Sequence, residues 1–124
     1  MRNRCQYRLD ENHDKYYRPF NLVADLGNGN IAKLSIVFEF YSHIYSTFTL
    51  AHGWMELYAG GKRRLKTKVV GIAYLHPDHE EELDGLTGIR KSFESLVNSC
   101  VGVEKNRKEI RTKFWQAFFE ALEN

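Results

Sequence analysis

Alternating apolar and polar residues mark the first half of the chain as a series of β-strands. Every second residue from 20 to 26 is apolar, and the same alternation returns over residues 31–41. A period of two is typical of a strand with one buried face. Between the two runs lies Gly27-Asn28-Gly29-Asn30, whose residues tolerate positive φ. The pattern therefore predicts a β-hairpin.

The apolar positions also predict how this first hairpin is paired. If the apolar residues of both strands face the core, Leu26 must lie opposite Ala32, which requires a three-residue loop over Asn28, Gly29 and Asn30. A two-residue turn at Asn28 and Gly29 would direct the apolar side chains of the first strand toward polar neighbours. We therefore expect the three-residue loop.

A second hairpin is predicted downstream. Residues 45–59 are rich in Thr, Tyr, Phe and Trp, which favour strands, and Gly60-Gly61 interrupts them. Residues 63–75 form the predicted fourth strand, whose later half is apolar at almost every position. Such a run is typical of a strand covered on both faces, so we expect this half to be central and buried.

Two helices are predicted to follow the sheet. Residues 88–100 carry one apolar stripe at helical spacing, formed by Ile89, Phe93, Leu96, Val97 and Cys100. Gly102 separates this helix from a longer one over residues 103–122, whose core stripe is predicted to be Val103, Ile110, Phe114, Ala117 and Ala121.

The order of these elements predicts an α+β domain. We expect a four-stranded antiparallel sheet, made of two hairpins, followed by two C-terminal helices packed on one face. Residues 1–124 form one domain in this prediction, with a polar N-terminal arm at 1–18, the sheet at 19–75 and the helical part at 78–123.

Composition narrows the class of protein. At 43% hydrophobic and 27% charged residues the chain resembles an ordinary globular protein, and its longest apolar run is far too short to span a membrane. The first fifteen residues lack an apolar leader segment, so we expect a cytoplasmic protein. Cys5 and Cys100 are too few and too far apart in sequence to predict a disulfide framework or a Cys-rich zinc site. No cofactor-binding motif is present, and we expect no cofactor.

Positive charge concentrates in the second hairpin. Five of the eight residues from 61 to 68 are basic. A three-residue loop of Gly60, Gly61 and Lys62 keeps every charge away from the core. The resulting outward-facing pairs are Trp54 with Lys68, Glu56 with Lys66 and Tyr58 with Arg64.

Basic side chains between aromatic rings are what proteins use to bind single-stranded nucleic acid, because bases stack on rings while cations follow the phosphates. The leading hypothesis is a non-enzymatic module that binds nucleic acid or a nucleoprotein. Its predicted site consists of Trp54, Tyr58, Lys62, Arg63, Arg64, Lys66 and Lys68. A solvated face that keeps a strand edge soluble accounts for the same residues and stays an alternative.

The last helix predicts a different kind of site. Lys108, Arg111, Trp115 and Phe119 share one helix face, away from the predicted core stripe. Aromatic residues beside Arg are common at the centres of protein interfaces. The alternative function is therefore a small protein-binding inhibitor or adaptor, monomeric or homodimeric. Cover from within the chain, for example by the arm at 1–18, would explain the two rings equally well.

A third hypothesis is a metal-dependent enzyme. His76 and His79 lie in the segment HPDH, beside carboxylates, and this set of side chains could hold zinc. A third ligand would have to come from a distant segment, and Asp78 is explained as a helix cap. We therefore expect no metal.

Overall fold

The computed structural model describes residues 17–42, 47–74, 85–100 and 107–123. The strands are β1 (Phe20–Gly27), β2 (Asn30–Ser42), β3 (Thr47–Ala59) and β4 (Lys62–Tyr74), and the helices are α1 (Gly85–Cys100) and α2 (Arg107–Glu123). The strands form one antiparallel sheet in the order β1-β2-β3-β4. Helix α1 packs on β3 and β4, and α2 packs on β1. The predicted α+β fold is thus confirmed.

The first hairpin differs from its predicted pairing. Ala24, rather than Leu26, lies opposite Ala32, and a bulge falls between Asp25 and Gly27. The turn is the two-residue Asn28-Gly29, both with positive φ. The prediction of a three-residue loop was wrong because the bulge adds an unpaired residue, Leu26, which restores the inward direction of the apolar set.

The second hairpin follows the predicted pairing over most of its length. Trp54 lies opposite Lys68 and Glu56 opposite Lys66, as predicted. Near the turn, however, Tyr58 pairs with Arg63 and not with Arg64, because the turn is the two-residue Gly60-Gly61 and a bulge follows it. The unpaired residue of this bulge, Arg64, again restores the predicted direction of the side chains before it and after it.

Aromatic rings fill the centre of the core between the sheet and the helices. Phe118 of α2 stacks on Phe93 of α1, with ring centres 4.1 Å apart and planes at 13°. The edge of the same cluster is closed by Phe20 and Phe38, each within 6 Å of the Phe118 ring centre. These four rings hold both helices against the sheet.

The predicted stripe of α1 is confirmed for Ile89, Phe93, Leu96 and Val97, which are fully buried. In α2, Ile110 and Phe114 are buried as predicted, and Ala117 and Ala121 are partly buried. Phe118, absent from the predicted stripe, is also fully buried. It follows Ile110 and Phe114 at the i+8 and i+4 positions, so the buried stripe is wider than predicted.

Within the described part of the chain β4 is an edge strand, not a central one. Its later half is covered on the helix side only: Val69 is buried, whereas Val70 and Tyr74 are 51% and 69% exposed. The prediction of burial on both faces was wrong because the helices cover one face of the sheet. Leu65 lies opposite the buried Leu57 on the covered side of the sheet, yet it is 39% exposed.

Helix α1 approaches the outer edge of β4 closely enough to bond with its main chain. The Ser95 hydroxyl accepts a hydrogen bond from the Ile72 amide at 3.4 Å, and the Ser99 hydroxyl donates to the Val70 carbonyl at 3.4 Å. A Cβ at Gly71 would lie 2.3 Å from the Ser92 carbonyl oxygen. Gly71 therefore permits this close packing, which covers part of the strand edge.

Several predictions lie outside the described residues. They concern the arm up to residue 16, the first two residues of the predicted third strand, the HPDH segment and Val103. The side chain of Cys100 is also outside the description.

Candidate nucleic-acid interface

The sheet face opposite the helices, called the outer face below, carries the predicted basic and aromatic residues. Pairing with β3 places Trp54 and Tyr58 on this face together with Lys66, Lys68 and Arg63 of β4. All three cations are exposed. Their positions agree with the prediction that no basic residue of the hairpin is directed into the core.

Two aromatic rings of the outer face each lie under a lysine. The Lys66 ammonium is 5.1 Å from the centre of the Trp54 ring, and the Lys33 ammonium is 4.9 Å from the centre of the Tyr58 ring. These are cation–π distances. Sequence analysis missed Lys33, because its place beside Tyr58 depends on the pairing of β2 with β3.

Glu56 is a negative charge among these cations. Its Oε2 accepts hydrogen bonds from the Tyr58 hydroxyl at 2.9 Å and from Arg63 Nη1 at 3.3 Å. The hydrogen bond from Tyr58, together with the nearby Arg63 and Lys66, lowers the pKa of Glu56. The carboxylate is thus ionised at neutral pH, and it neutralises part of the local positive charge.

The remaining predicted cations lie close to the turn. Lys62 flanks the Gly60-Gly61 turn opposite Ala59, and Arg64 is the residue added by the bulge; both are exposed. The Gly60 amide donates a hydrogen bond to the Gly29 carbonyl at 3.1 Å. The two hairpin turns are therefore tied together at this end of the sheet.

A depression borders the other side of the Trp54 position. It has a volume of about 270 Å³ and is lined by Pro19, Phe20, Asn21, Ser35, Ile36, Val37, His52, Gly53 and Trp54. The Trp54 side chain is 45% exposed. An exposed ring beside a shallow depression offers a surface on which a flat ligand can stack.

Farther along the outer face lies a polar cluster that sequence analysis missed. Glu39 of β2 accepts hydrogen bonds from the Tyr41 hydroxyl and, at 2.5 Å, from His52 Nε2 of β3. The hydrogen bond from Tyr41 is the largest cause of a lowered pKa of Glu39, and the one from His52 is the next. The Tyr41–Glu39 hydrogen bond also raises the pKa of Tyr41. The sequence signal was weak because His52 reaches Glu39 only through the β2–β3 pairing.

The cluster lines a second depression, with a volume of about 530 Å³. Its walls are Glu39, Tyr41, Leu50, His52, Lys68, Val69 and Val70. Next to it, Tyr41 stacks on Phe48 with ring centres 5.1 Å apart, and Phe48 contacts Tyr74. Lys66 and Lys68, alternate exposed residues of β4 on the outer face, are called the basic row below. Lys68 also lines this depression, so the two parts of the outer face are continuous.

The predicted protein-binding residues of α2 are only partly available. The Trp115 ring packs edge-on against Phe93 at 4.7 Å, so α1 provides cover for it. Phe119 is 43% exposed, stacks on Trp115 at 5.4 Å and lies under the guanidinium of Arg90. Lys108 is exposed and Arg111 is half-buried on the same helix.

The described ranges hold neither a cluster of metal-ligating side chains nor a helix suited to crossing a membrane. Residues 17–42, 47–74, 85–100 and 107–123 contain no group of three or more His, Cys, Asp or Glu side chains placed to hold a metal ion. Within the same ranges no helix combines the length and the apolar character that crossing a membrane requires. His76 and His79 lie outside them.

Comparison of the chain with models of known protein families, with curated protein sequences and with solved structures finds no match. The assignment of a function therefore depends on the chemistry of the outer face.

Proposed function

We propose that this protein is a non-enzymatic module that binds single-stranded nucleic acid on the outer face of its sheet. The observation that carries the proposal is the pairing of the exposed Trp54 ring with the Lys66 ammonium, 5.1 Å from the ring centre. A nucleotide presents a flat base and an anionic phosphate, and this pair offers one partner for each.

Spacing along the strands supports the proposal. Lys66 and Lys68 are two residues apart on β4, and both are exposed on the outer face. Alternate residues of a strand are separated by about 6.6–6.8 Å, which is close to the distance between successive phosphates of an extended single strand. The cations can therefore follow the backbone while the rings hold the bases.

The charge balance of the hairpin end also favours an anionic ligand. Glu56 accepts its two hydrogen bonds from Tyr58 and Arg63. Neither bond involves Lys66 or Lys68. Basic residues placed along one face raise the local concentration of a polyanion and speed its association. The carboxylate limits this attraction without reversing it.

A single strand fits this surface better than a duplex. Stacking on Trp54 or Tyr58 requires an accessible base face, and the faces of duplex bases are hidden in the helix. Both helices of the described ranges, α1 and α2, lie on the opposite side of the sheet, so neither can enter a major groove from the outer face.

The test is the fluorescence anisotropy of a labelled oligothymidylate titrated with the protein at low salt and then at rising salt. We expect binding whose logarithmic affinity falls linearly with the logarithm of salt concentration, by about 0.7 for each phosphate contacted. The matched duplex should bind more weakly. No change in anisotropy with any oligonucleotide at low salt would overturn the proposal.

The protein-binding alternative is favoured by one observation, the 43% exposed Phe119 beside Arg90. An aromatic ring with an arginine is common at the centre of protein interfaces. If this surface mediates self-association, the mass measured by analytical ultracentrifugation will rise with concentration, and Phe119→Ala will abolish the rise. A monomeric mass at every concentration would contradict self-association through this surface.

A further inference from the structure

We infer that the depression around Glu39 is a subsite that selects guanine within the bound single strand. This inference rests on the proposed function, because it concerns the base that occupies one part of the same outer face. Four features of the depression support it: a fixed carboxylate, an apolar wall, adjacent aromatic rings and continuity with the basic row.

The Glu39 carboxylate is held in one orientation. One oxygen, Oε1, accepts from His52 Nε2, and the other, Oε2, accepts from the Tyr41 hydroxyl. Because an ionised carboxylate can only accept, the Nε2 atom of His52 must carry the proton of this bond. Each carboxylate oxygen has a second lone pair, and the Glu39 side chain is 42% exposed, so both oxygens can accept a further hydrogen bond.

Such a carboxylate discriminates among the bases. Guanine carries two neighbouring N–H donors, the ring N1–H and the exocyclic N2 amino group, which match two carboxylate oxygens as the fork of an arginine does. Adenine and cytosine place a ring acceptor beside their amino group, and thymine or uracil flanks its one N–H with two carbonyl oxygens. These acceptors would face the Glu39 charge and repel it.

The surroundings of Glu39 suit a base rather than a phosphate. Leu50 and Val70 form apolar walls of the depression, and a phosphate would be repelled by the carboxylate. Proteins that recognise bases in single strands hydrogen-bond the Watson–Crick edge while stacking the base on a ring. Tyr41, stacked on Phe48, supplies a ring at the margin of the depression.

The depression is connected to the proposed nucleic-acid interface. Lys68 lines it and lies opposite Trp54 in the sheet, and His52 lines both this depression and the one beside Trp54. Trp54 and Leu50 are four residues apart on β3, about 13 Å along the strand. A single-stranded nucleic acid that stacks one base on Trp54 can therefore reach Glu39 within a few nucleotides.

The test compares labelled oligothymidylates that differ at one central position, which carries thymine, guanine, adenine or hypoxanthine. Hypoxanthine keeps the ring N1–H of guanine and lacks its amino group. We expect the guanine oligonucleotide to bind roughly tenfold more tightly than the thymine one, and hypoxanthine to retain only about a threefold advantage. Glu39→Gln, which exchanges one acceptor oxygen for an amide donor, should abolish the preference.

Glu94→Gln provides the matched control, because Glu94 is an exposed carboxylate on α1 and its substitution changes the net charge equally. This variant should keep the guanine preference. Glu39→Gln removes a negative charge from the outer face and should itself strengthen binding of the thymine oligonucleotide, so the guanine preference is measured as the ratio of guanine to thymine affinity within each variant.

The outcomes separate the subsite from the proposed function. Equal binding of all four oligonucleotides, or a guanine preference that survives Glu39→Gln, would overturn the subsite and leave the single-strand function intact. The absence of binding to every oligonucleotide would overturn both.

Discussion

The ammonium group of Lys66 lies 5.1 Å from the centre of the Trp54 ring, on the sheet face that the helices do not cover. The contact couples a cation to an aromatic surface that is 45% exposed. A lysine alone would keep this edge of the sheet soluble. The exposed tryptophan beside it adds a surface on which a base can stack.

The basic row should determine the salt dependence of binding. Replacing Lys66 and Lys68 with alanine removes two cations of the outer face, so the slope of log affinity against log salt should fall by about 1.4, or about 0.7 for each phosphate. The control is the double replacement of Lys91 and Lys108, two exposed lysines on the helices. Anisotropy titrations at several salt concentrations measure both slopes, and an equal loss in the two variants would exclude a specific role for the row.

The Tyr41 hydrogen bond should hold the pKa of Glu39 below its ordinary value of 4.5. Tyr41→Phe removes the largest cause of this shift, so the pKa of Glu39 should rise. Carbon-13 NMR titration of the side-chain carboxyl groups measures it. Tyr58→Phe is the matched control. The hydrogen bond from Tyr58 is the largest cause of the lowered pKa of Glu56, so this variant should raise the pKa of Glu56 and leave the pKa of Glu39 unchanged.

The same bond has a consequence for stability. A carboxyl whose pKa is lowered by folding stabilises the protein above its unfolded pKa, and this contribution disappears as the pH falls through the folded pKa. The loss of unfolding free energy caused by Tyr41→Phe should therefore be larger near pH 7 than near pH 3. Urea unfolding at the two pH values measures it, and a larger loss at the acidic value would contradict the assigned hydrogen bond.

Two neighbouring phenylalanines of α2 should differ sharply in their effect on stability. Phe118 is fully buried and stacks on Phe93 at 4.1 Å, so Phe118→Ala should cost about 3–5 kcal/mol. Phe119 is 43% exposed, and Phe119→Ala should cost about 1 kcal/mol or less. Urea unfolding of the two variants gives the values, and similar costs would show that the assigned faces of α2 are wrong.

Gly71 should tolerate no side chain. A Cβ there would lie 2.3 Å from the Ser92 carbonyl oxygen and 2.4 Å from the Leu96 amide nitrogen. Gly71→Ala must push α1 away from β4, at a cost of about 1–3 kcal/mol. Gly61→Asn is the control, because a Cβ at Gly61 meets open space and Asn tolerates its positive φ. Its unfolding free energy should change by about 0.5 kcal/mol or less.

The direction of the strand side chains could be predicted from sequence, whereas their pairing could not. Alternation placed Ala24, Ala32 and Leu34 in the core correctly, because one face of each strand must be apolar. Pairing depends on turns and bulges. At Leu26 and Arg64 a bulge combines with a two-residue turn to give the same inward set as a longer loop, and alternation alone does not distinguish the two arrangements.

The extent of burial could not be predicted from the sequence either. Val70 and Ile72 are apolar, and a run of such residues is typical of a covered strand, yet both are exposed because α1 and α2 share one side of the sheet. Phe118 was missed for a different reason. A helix stripe allows both i+7 and i+8 positions, and only the stacking of Phe118 on Phe93 of α1 shows that the i+8 residue is fully buried.

The proposed sites were predictable to different degrees. Trp54, Lys66 and Lys68 lie in one hairpin, so local alternation sufficed to place them on one face. Glu39 and His52 belong to strands whose connecting segment has no clear turn pattern. Their contact therefore became visible only with the β2–β3 pairing.

The most direct test of single-strand binding on the outer face uses the protein's two tryptophans as reporters in one NMR experiment. Trp54 lies on the outer face, and Trp115 packs against Phe93 on the helix side. On addition of unlabelled oligothymidylate to nitrogen-15-labelled protein, the indole N–H signal of Trp54 should shift while that of Trp115 stays in place. A shift confined to Trp115, or no shift of either signal, would contradict the proposed interface.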